Sequence, residues 1–172
     1  HPVWVTIFTS MFLHGGWLHI IGNMMYLWIF GDNVEDAFGH FWFLVFYLLS
    51  GCGAAALQIL VDTQSTIPMV GASGALSGVL AAYLFMFPGR SVRVLVFLGI
   101  FVTVVTLPAI LVIGFWVLLQ FLAGFASLGP ETAQTDGVAY FAHIGGFITG
   151  AILLAILWPF TIARRRRARY RR

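Results

Sequence analysis

Polar side chains are so sparse along this chain that they divide it into five apolar runs, roughly Trp17–Phe30, Trp42–Leu60, Ala72–Phe87, Leu107–Phe125 and Tyr140–Trp158. Most of them approach the roughly 20 residues that a helix needs to cross a bilayer. No period-two alternation of apolar and polar residues competes with them, so the runs are predicted to be helices rather than strands of a barrel. Ser91–Thr106 is apolar as well, but it follows Arg90, contains Arg93 and leads into Leu107-Pro108. We read it as an interfacial or loosely embedded loop. The expected fold is all-α, a polytopic membrane helix bundle over residues 1–160 with an arginine-rich tail at 161–172.

Composition supports this class. Of 172 residues, 60% are hydrophobic and 9% charged, far too little polar surface for a soluble domain of this length. Cys52 is the one cysteine, which excludes an intramolecular disulfide or a multi-cysteine metal site. With Gly51, Gly53 and Ala54 beside it, Cys52 reads as a small residue at a helix contact.

Charge sets the orientation. All nine basic residues are arginines, and Arg164, Arg165, Arg166, Arg167, Arg169, Arg171 and Arg172 follow the last apolar run. The positive-inside rule places that tail in the cytoplasm, against lipid headgroups rather than a nucleic acid. Counting spans back from the tail puts Arg90 and Arg93 inside as well, an independent check on the span count. No acidic or basic side chain falls within a span, which disfavours an ion-coupled carrier or pore.

The same parity gathers the chemistry on the outer side. Ser73, in Gly71-Ala72-Ser73-Gly74, opens the third run, and His143, in Ala142-His143-Ile144-Gly145-Gly146, opens the fifth. His14, His19 and Asn23 lie at the outer end of the first. Gly71 permits a tight turn into a helix whose N-terminus favours developing negative charge at Ser73, and Gly74 leaves space beside the hydroxyl. His143, Gly146 and Gly150 share one helix face, and the G-x-x-x-G allows a neighbouring helix to approach closely. If that neighbour carries Ser73, His143 is a general base for a serine nucleophile. His19 and Asn23, four apart on one face, together with the Ser73 N–H, can donate to an oxyanion. No carboxylate is placed to orient His143, so a dyad is expected rather than a triad. Asp136 lies too near the aqueous loop. Interhelical hydrogen bonding is the competing use for each polar residue taken alone. Metal ligation is disfavoured because H-E-x-x-H is absent and His14 and His19 are five apart.

Together, His14-Gly15-Gly16-Trp17-Leu18-His19-Ile20-Ile21-Gly22-Asn23, the Ser73 motif and the His143 motif resemble the rhomboid family of intramembrane serine proteases. The resemblance implies a six-helix core, of which five helices are present here and the first would precede His1. It implies a Ser73–His143 dyad with His19, Asn23 and the Ser73 N–H as oxyanion site, and His14 at a cavity that admits water. Residues before Trp17 would form a membrane-embedded loop, Gly129–Val138 a cap above the site, and Leu107–Phe125 a lateral gate. Two departures stand out: Trp4-Val5 where many members have Trp-Arg, and Ser77 where some stack an aromatic ring on the histidine.

The expected activity is cofactor- and metal-independent cleavage of transmembrane or membrane-anchored proteins near the outer face of the membrane, a bacterial plasma membrane by the arginine pattern. The alternative is a catalytically silent rhomboid-like protein that binds membrane clients. Loss of the serine or histidine would mark it, and both are present.

Overall fold

Small residues govern how the helices meet. The structure, a computed structural model, describes residues 3–63, 68–128 and 138–170. A short helix α1 (Val3–Ser10) precedes α2 (Trp17–Tyr26), which passes through a π-helical turn at Leu27–Gly31 directly into α3 (Asp32–Phe38). Then come α4 (His40–Val61), α5 (Ser73–Met86), strands β1 (Ser91–Leu98) and β2 (Phe101–Pro108), α6 (Ala109–Ala126) and α7 (Tyr140–Tyr170). Helices α4, α6 and the Tyr140–Pro159 part of α7 are each long and apolar enough to cross a membrane, and α5 is a shorter apolar helix. The described residues form a membrane helix bundle, α-helical apart from a β-hairpin attached to it.

Helices α4, α5 and α7 form its centre. A Cβ built on Gly146 would run into the carbonyl oxygen of Gly74, and one on Gly150 into the backbone of Gly78. On the α4 side, a Cβ on Gly145 would lie 2.7 Å from Leu57 Cβ and 2.8 Å from the Gly53 oxygen. Lipid offers no hydrophobic gain for bringing apolar helices together, so close van der Waals approach along such faces is what holds them. Larger side chains fill the end away from Ser73, where Phe38 meets Phe46 edge-on at 4.9 Å and Phe30 meets Tyr83 at 5.0 Å. Helix α6 stands at the periphery. Only Ala109, Ile113 and Gly124 are buried on it, while Leu111, Phe115, Leu118, Leu122 and Phe125 face outward, the surface a bilayer covers.

Three expectations need correction. Ser91–Thr106 is not a loop: Ser91 pairs with Pro108 and the antiparallel register runs to Leu98 opposite Phe101. Val92, Val94, Val96, Val102, Val104 and Val105 suit a pleated backbone, and Gly99, with φ +64, takes the two-residue turn. Residues before Trp17 are not all loop either, since Val3–Ser10 is helical. Met11, which follows α1, is buried against Gly51 of α4. The last span also extends past Trp158, so the backbone of the arginine segment continues α7 to Tyr170.

The start of α6 is tied to the end of α5. The Ala109 N–H donates to the Arg90 oxygen at 2.8 Å and the Ile110 N–H to the Pro88 oxygen at 3.1 Å, satisfying donors that a helix N-terminus leaves open.

Candidate active site

Ser73 is the first residue of α5, and its position is set by the turn before it. Gly71 has φ +120, a conformation other residues rarely adopt, and a Cβ there would lie 2.7 Å from the His19 ring. Its N–H donates to the Ser10 oxygen at 2.9 Å, so the end of α1 fastens the turn. The first helical bond of α5 runs from the Leu76 N–H to the Ala72 oxygen, which leaves the N–H groups of Ser73, Gly74 and Ala75 without intrahelical acceptors.

His143 lies in the first turn of α7. Just before it, the Ala142 N–H donates to Gln58 Oε1 of α4 at 3.1 Å. The Gly146–Gly74 and Gly150–Gly78 approaches draw this turn against the start of α5. The structure brings the two side chains together: His143 Nε2 is 2.8 Å from Ser73 Oγ. At this distance an imidazole can take up a hydroxyl proton. On the other side of the ring, His143 Nδ1 is 2.6 Å from Gln120 Oε1 of α6. Trp116, one turn earlier on α6, lies with its ring centroid 5.6 Å from that of His143.

His19 and Asn23 of α2 complete the wall. Nδ1 of His19 accepts from the Gly15 N–H at 3.3 Å, so a neutral ring carries its proton on Nε2, the atom beside Gly71. Asn23 is buried, and its Nδ2 donates one hydrogen to the His19 oxygen at 3.0 Å. Ser73, His143, His19 and Asn23 all line one cavity of about 870 Å³. Tyr26 of α2, Leu76 and Leu80 of α5 and Trp116 of α6 line it too, so it extends sideways between α2 and α6.

The remaining expected site residues are placed as follows. Gly74 packs against Ala54 and lines the cavity beside Ser73, and Gly146 and Gly150 form the α5–α7 contact. His14 is not in the cavity wall. It lies edge-on to the His19 ring at 5.2 Å, with Nε2 buried and without a protein partner. Ser77 is buried and its hydroxyl donates back to the Ser73 oxygen at 2.7 Å, while the ring beside His143 comes instead from Trp116. Asp136 and nearly all of the Gly129–Val138 segment lie outside the described residues. No group of three or more metal-ligating side chains converges among the described residues.

Gln120, Gln58 and Trp116 escaped the sequence reading. The available signal was polarity: a large amide within an apolar span is uncommon enough to ask what it bonds.

Fold and site define an integral membrane protein whose helix bundle holds a hydroxyl–imidazole pair at the mouth of its central helices. The chain belongs to the rhomboid family, whose rhomboid domain matches residues 1–160. It is 31% identical to rhomboid-like protein 11, chloroplastic, of Arabidopsis thaliana over 94% of this chain and 55% of that one. It is 32% identical to RHOMBOID-like protein 1 of the same plant, over 89% of this chain and 34% of the other. Against rhomboid protein 1, mitochondrial, of Saccharomyces cerevisiae, identity is 29% over 86% and 40% of the two chains. The chain thus spans about half or less of the length of these relatives.

Proposed function

We propose that the chain is an intramembrane serine endopeptidase acting on transmembrane or membrane-anchored proteins. The observation that carries this reading is the 2.8 Å contact between Ser73 Oγ and His143 Nε2 in a cavity bounded by hydrogen-bond donors.

In the proposed reaction, His143 Nε2 takes the Ser73 hydroxyl proton as Oγ attacks the scissile carbonyl carbon. The carbonyl oxygen becomes an oxyanion, met by the Ser73 N–H, His19 Nε2–H and the second Asn23 Nδ2–H. Collapse expels the amine, which leaves with the proton held on His143, and Ser73 is left acylated. Water, deprotonated by the same imidazole, then attacks the ester and frees Ser73 and the new carboxylate. The sideways extension of the cavity toward Tyr26 and Trp116 suits an extended segment arriving from the bilayer. A helical substrate must unwind there before its peptide bond can reach Oγ.

The arginine tail and Arg90 favour a site on the non-cytosolic side. Relatives that align with most of this chain are named for a chloroplast and a mitochondrion, so an organelle membrane fits as well as the bacterial plasma membrane expected from the arginines.

The test is reconstitution in proteoliposomes with a transmembrane reporter substrate and a fluorophosphonate probe. Wild type is expected to cleave the reporter and to be trapped by the probe at Ser73. Ser73→Ala and His143→Ala are expected to reduce cleavage to background. Equal cleavage by wild type and Ser73→Ala would end the enzymatic reading and leave the binding of membrane clients.

A further inference from the structure

We infer that Gln120 is a positioning residue for the His143 base, converting the expected pair into a chain of three: Gln120 Oε1, the His143 ring and Ser73 Oγ. The inference rests on the proteolytic reading above. The two ring nitrogens of His143 have different partners on different helices: Ser73 of α5 at 2.8 Å from Nε2 and Gln120 of α6 at 2.6 Å from Nδ1.

The chemistry needs these roles to differ. To accept the Ser73 proton, Nε2 must present a lone pair, so in the neutral ring the one proton must sit on Nδ1. A carboxamide oxygen can only accept. Gln120 Oε1 at Nδ1 therefore stabilises the one tautomer in which Nε2 is a base. With no partner at Nδ1 the ring can place its proton on Nε2, and Ser73 would then face a donor. A carboxylate performs this service in serine hydrolases of the triad type. Here an amide does it, without a charge inside an apolar span, where a carboxylate would carry a desolvation cost.

The placement is built by the helix. Trp116 and Gln120 are four apart, so one face of α6 presents both to His143. Gly124, four further on, continues that face against α7, where a Cβ would stand 3.4 Å from Ile144 and Tyr140. Simple helix-to-helix glue is the competing role for Gln120. It differs in what it predicts: glue loosens α6 when removed, whereas a positioning residue slows chemistry while substrate still binds.

The experiment uses the full chain in proteoliposomes with Gln120→Met, which keeps the side-chain length and removes the acceptor. Gln120→Glu restores an acceptor and Gln120→Leu is a second removal. Thermal melts establish that each is folded. For Gln120→Met we expect kcat on the reporter and the rate of fluorophosphonate trapping to fall about 10- to 100-fold, up to the lower limit of the roughly 100- to 10,000-fold that general-base catalysis supplies, because His143 itself remains, with KM within twofold. Gln120→Glu is expected to recover most of that loss. By NMR of the ring-labelled protein, a low-field Nδ1–H resonance of His143 should be present in wild type and lost in Gln120→Met.

Should Gln120→Met fail to fold, Gln120→Leu takes its place. If neither folds, the wild-type resonance decides: a proton on Nδ1 supports the inference and a proton on Nε2 overturns it. Unchanged kcat in a folded removal variant, or a loss that Gln120→Glu does not recover, overturns it while leaving proteolysis intact. A wild type that neither cleaves nor traps the probe overturns the proteolytic reading instead, and the resonance then decides the Gln120 contact by itself.

Discussion

Asn23 has two amide hydrogens and uses one on the His19 carbonyl at 3.0 Å, which fixes the amide plane and leaves the second free to point into the cavity. His19 is held in the same way, its Nδ1 occupied by the Gly15 N–H and its Nε2 beside the Gly71 turn. Both donors are thus preorganised by bonds that no substrate has to make. Such donors act where charge develops, so they matter more to the transition state than to the bound peptide. Asn23→Ala is accordingly expected to lower kcat about 100-fold, typical for loss of one oxyanion donor, with little change in KM. Reporter kinetics would check this. A rise in KM at unchanged kcat would show that Asn23 holds substrate in its ground state instead. At this scale the sequence was informative wherever a polar residue sat in a short glycine-rich motif. Ser73, His143, His19 and Asn23 could be named from spacing, because turns and helix faces constrain them locally. Gln120 could not, because its partner is 23 residues away on another helix and nothing in Val117-Leu118-Leu119-Gln120-Phe121 encodes which ring it will meet.

Among the elements, α4, α5 and α7 show which contacts the site cannot lose. Gly146 on Gly74 and Gly150 on Gly78 set the distance between the helices that carry Ser73 and His143. A side chain at Gly146 has backbone, not a flexible tip, in its way, so the helices must part. Gly146→Val is expected to destabilise the fold by at least the upper part of the usual overpacking range of about 1–3 kcal/mol, and to abolish reporter cleavage. Gly114→Ala on α6, where nothing lies within 4 Å, is the control and should leave the melting temperature and cleavage unchanged. Melting and cleavage measured together decide it; a Gly146→Val protein as stable and active as wild type would show the close packing to be dispensable. The spans were legible because apolar length is a one-dimensional property, and four of the five recur within a few residues of their observed helices. The hairpin was not, because a strand announces itself by alternating apolar and polar faces, and Leu95, Phe101, Val102 and Val104 leave both faces apolar. Density of β-branched residues around Gly99 was the signal that remained.

For the whole molecule, the positions of the ends carry the functional orientation. Helices α5 and α7 begin at the site, and α4 and α6 finish beside it; α3, the hairpin and the arginine segment gather at the opposite end. The bundle therefore separates its chemistry from its basic residues along its own axis. If the arginines stay with the cytosol, Ser73 faces the other compartment. This can be measured without substrate. In a Cys52→Ser background, single cysteines replace Thr63, exposed just after α4 at the site end, and Gly89, exposed in the turn after α5 with nothing within 4 Å of a Cβ. A membrane-impermeant maleimide added to sealed vesicles with their native orientation should label Thr63→Cys and spare Gly89→Cys, and inverted vesicles should reverse the pattern. Labelling of both from one side would mean that the two ends of the bundle share a compartment, and an axis that separates arginines from the serine would then not cross the membrane at all. Labelling with the opposite preference would keep the span but turn the active site toward the cytosol. The proteolytic chemistry would survive that result, and the choice of membrane proteins it could reach would change.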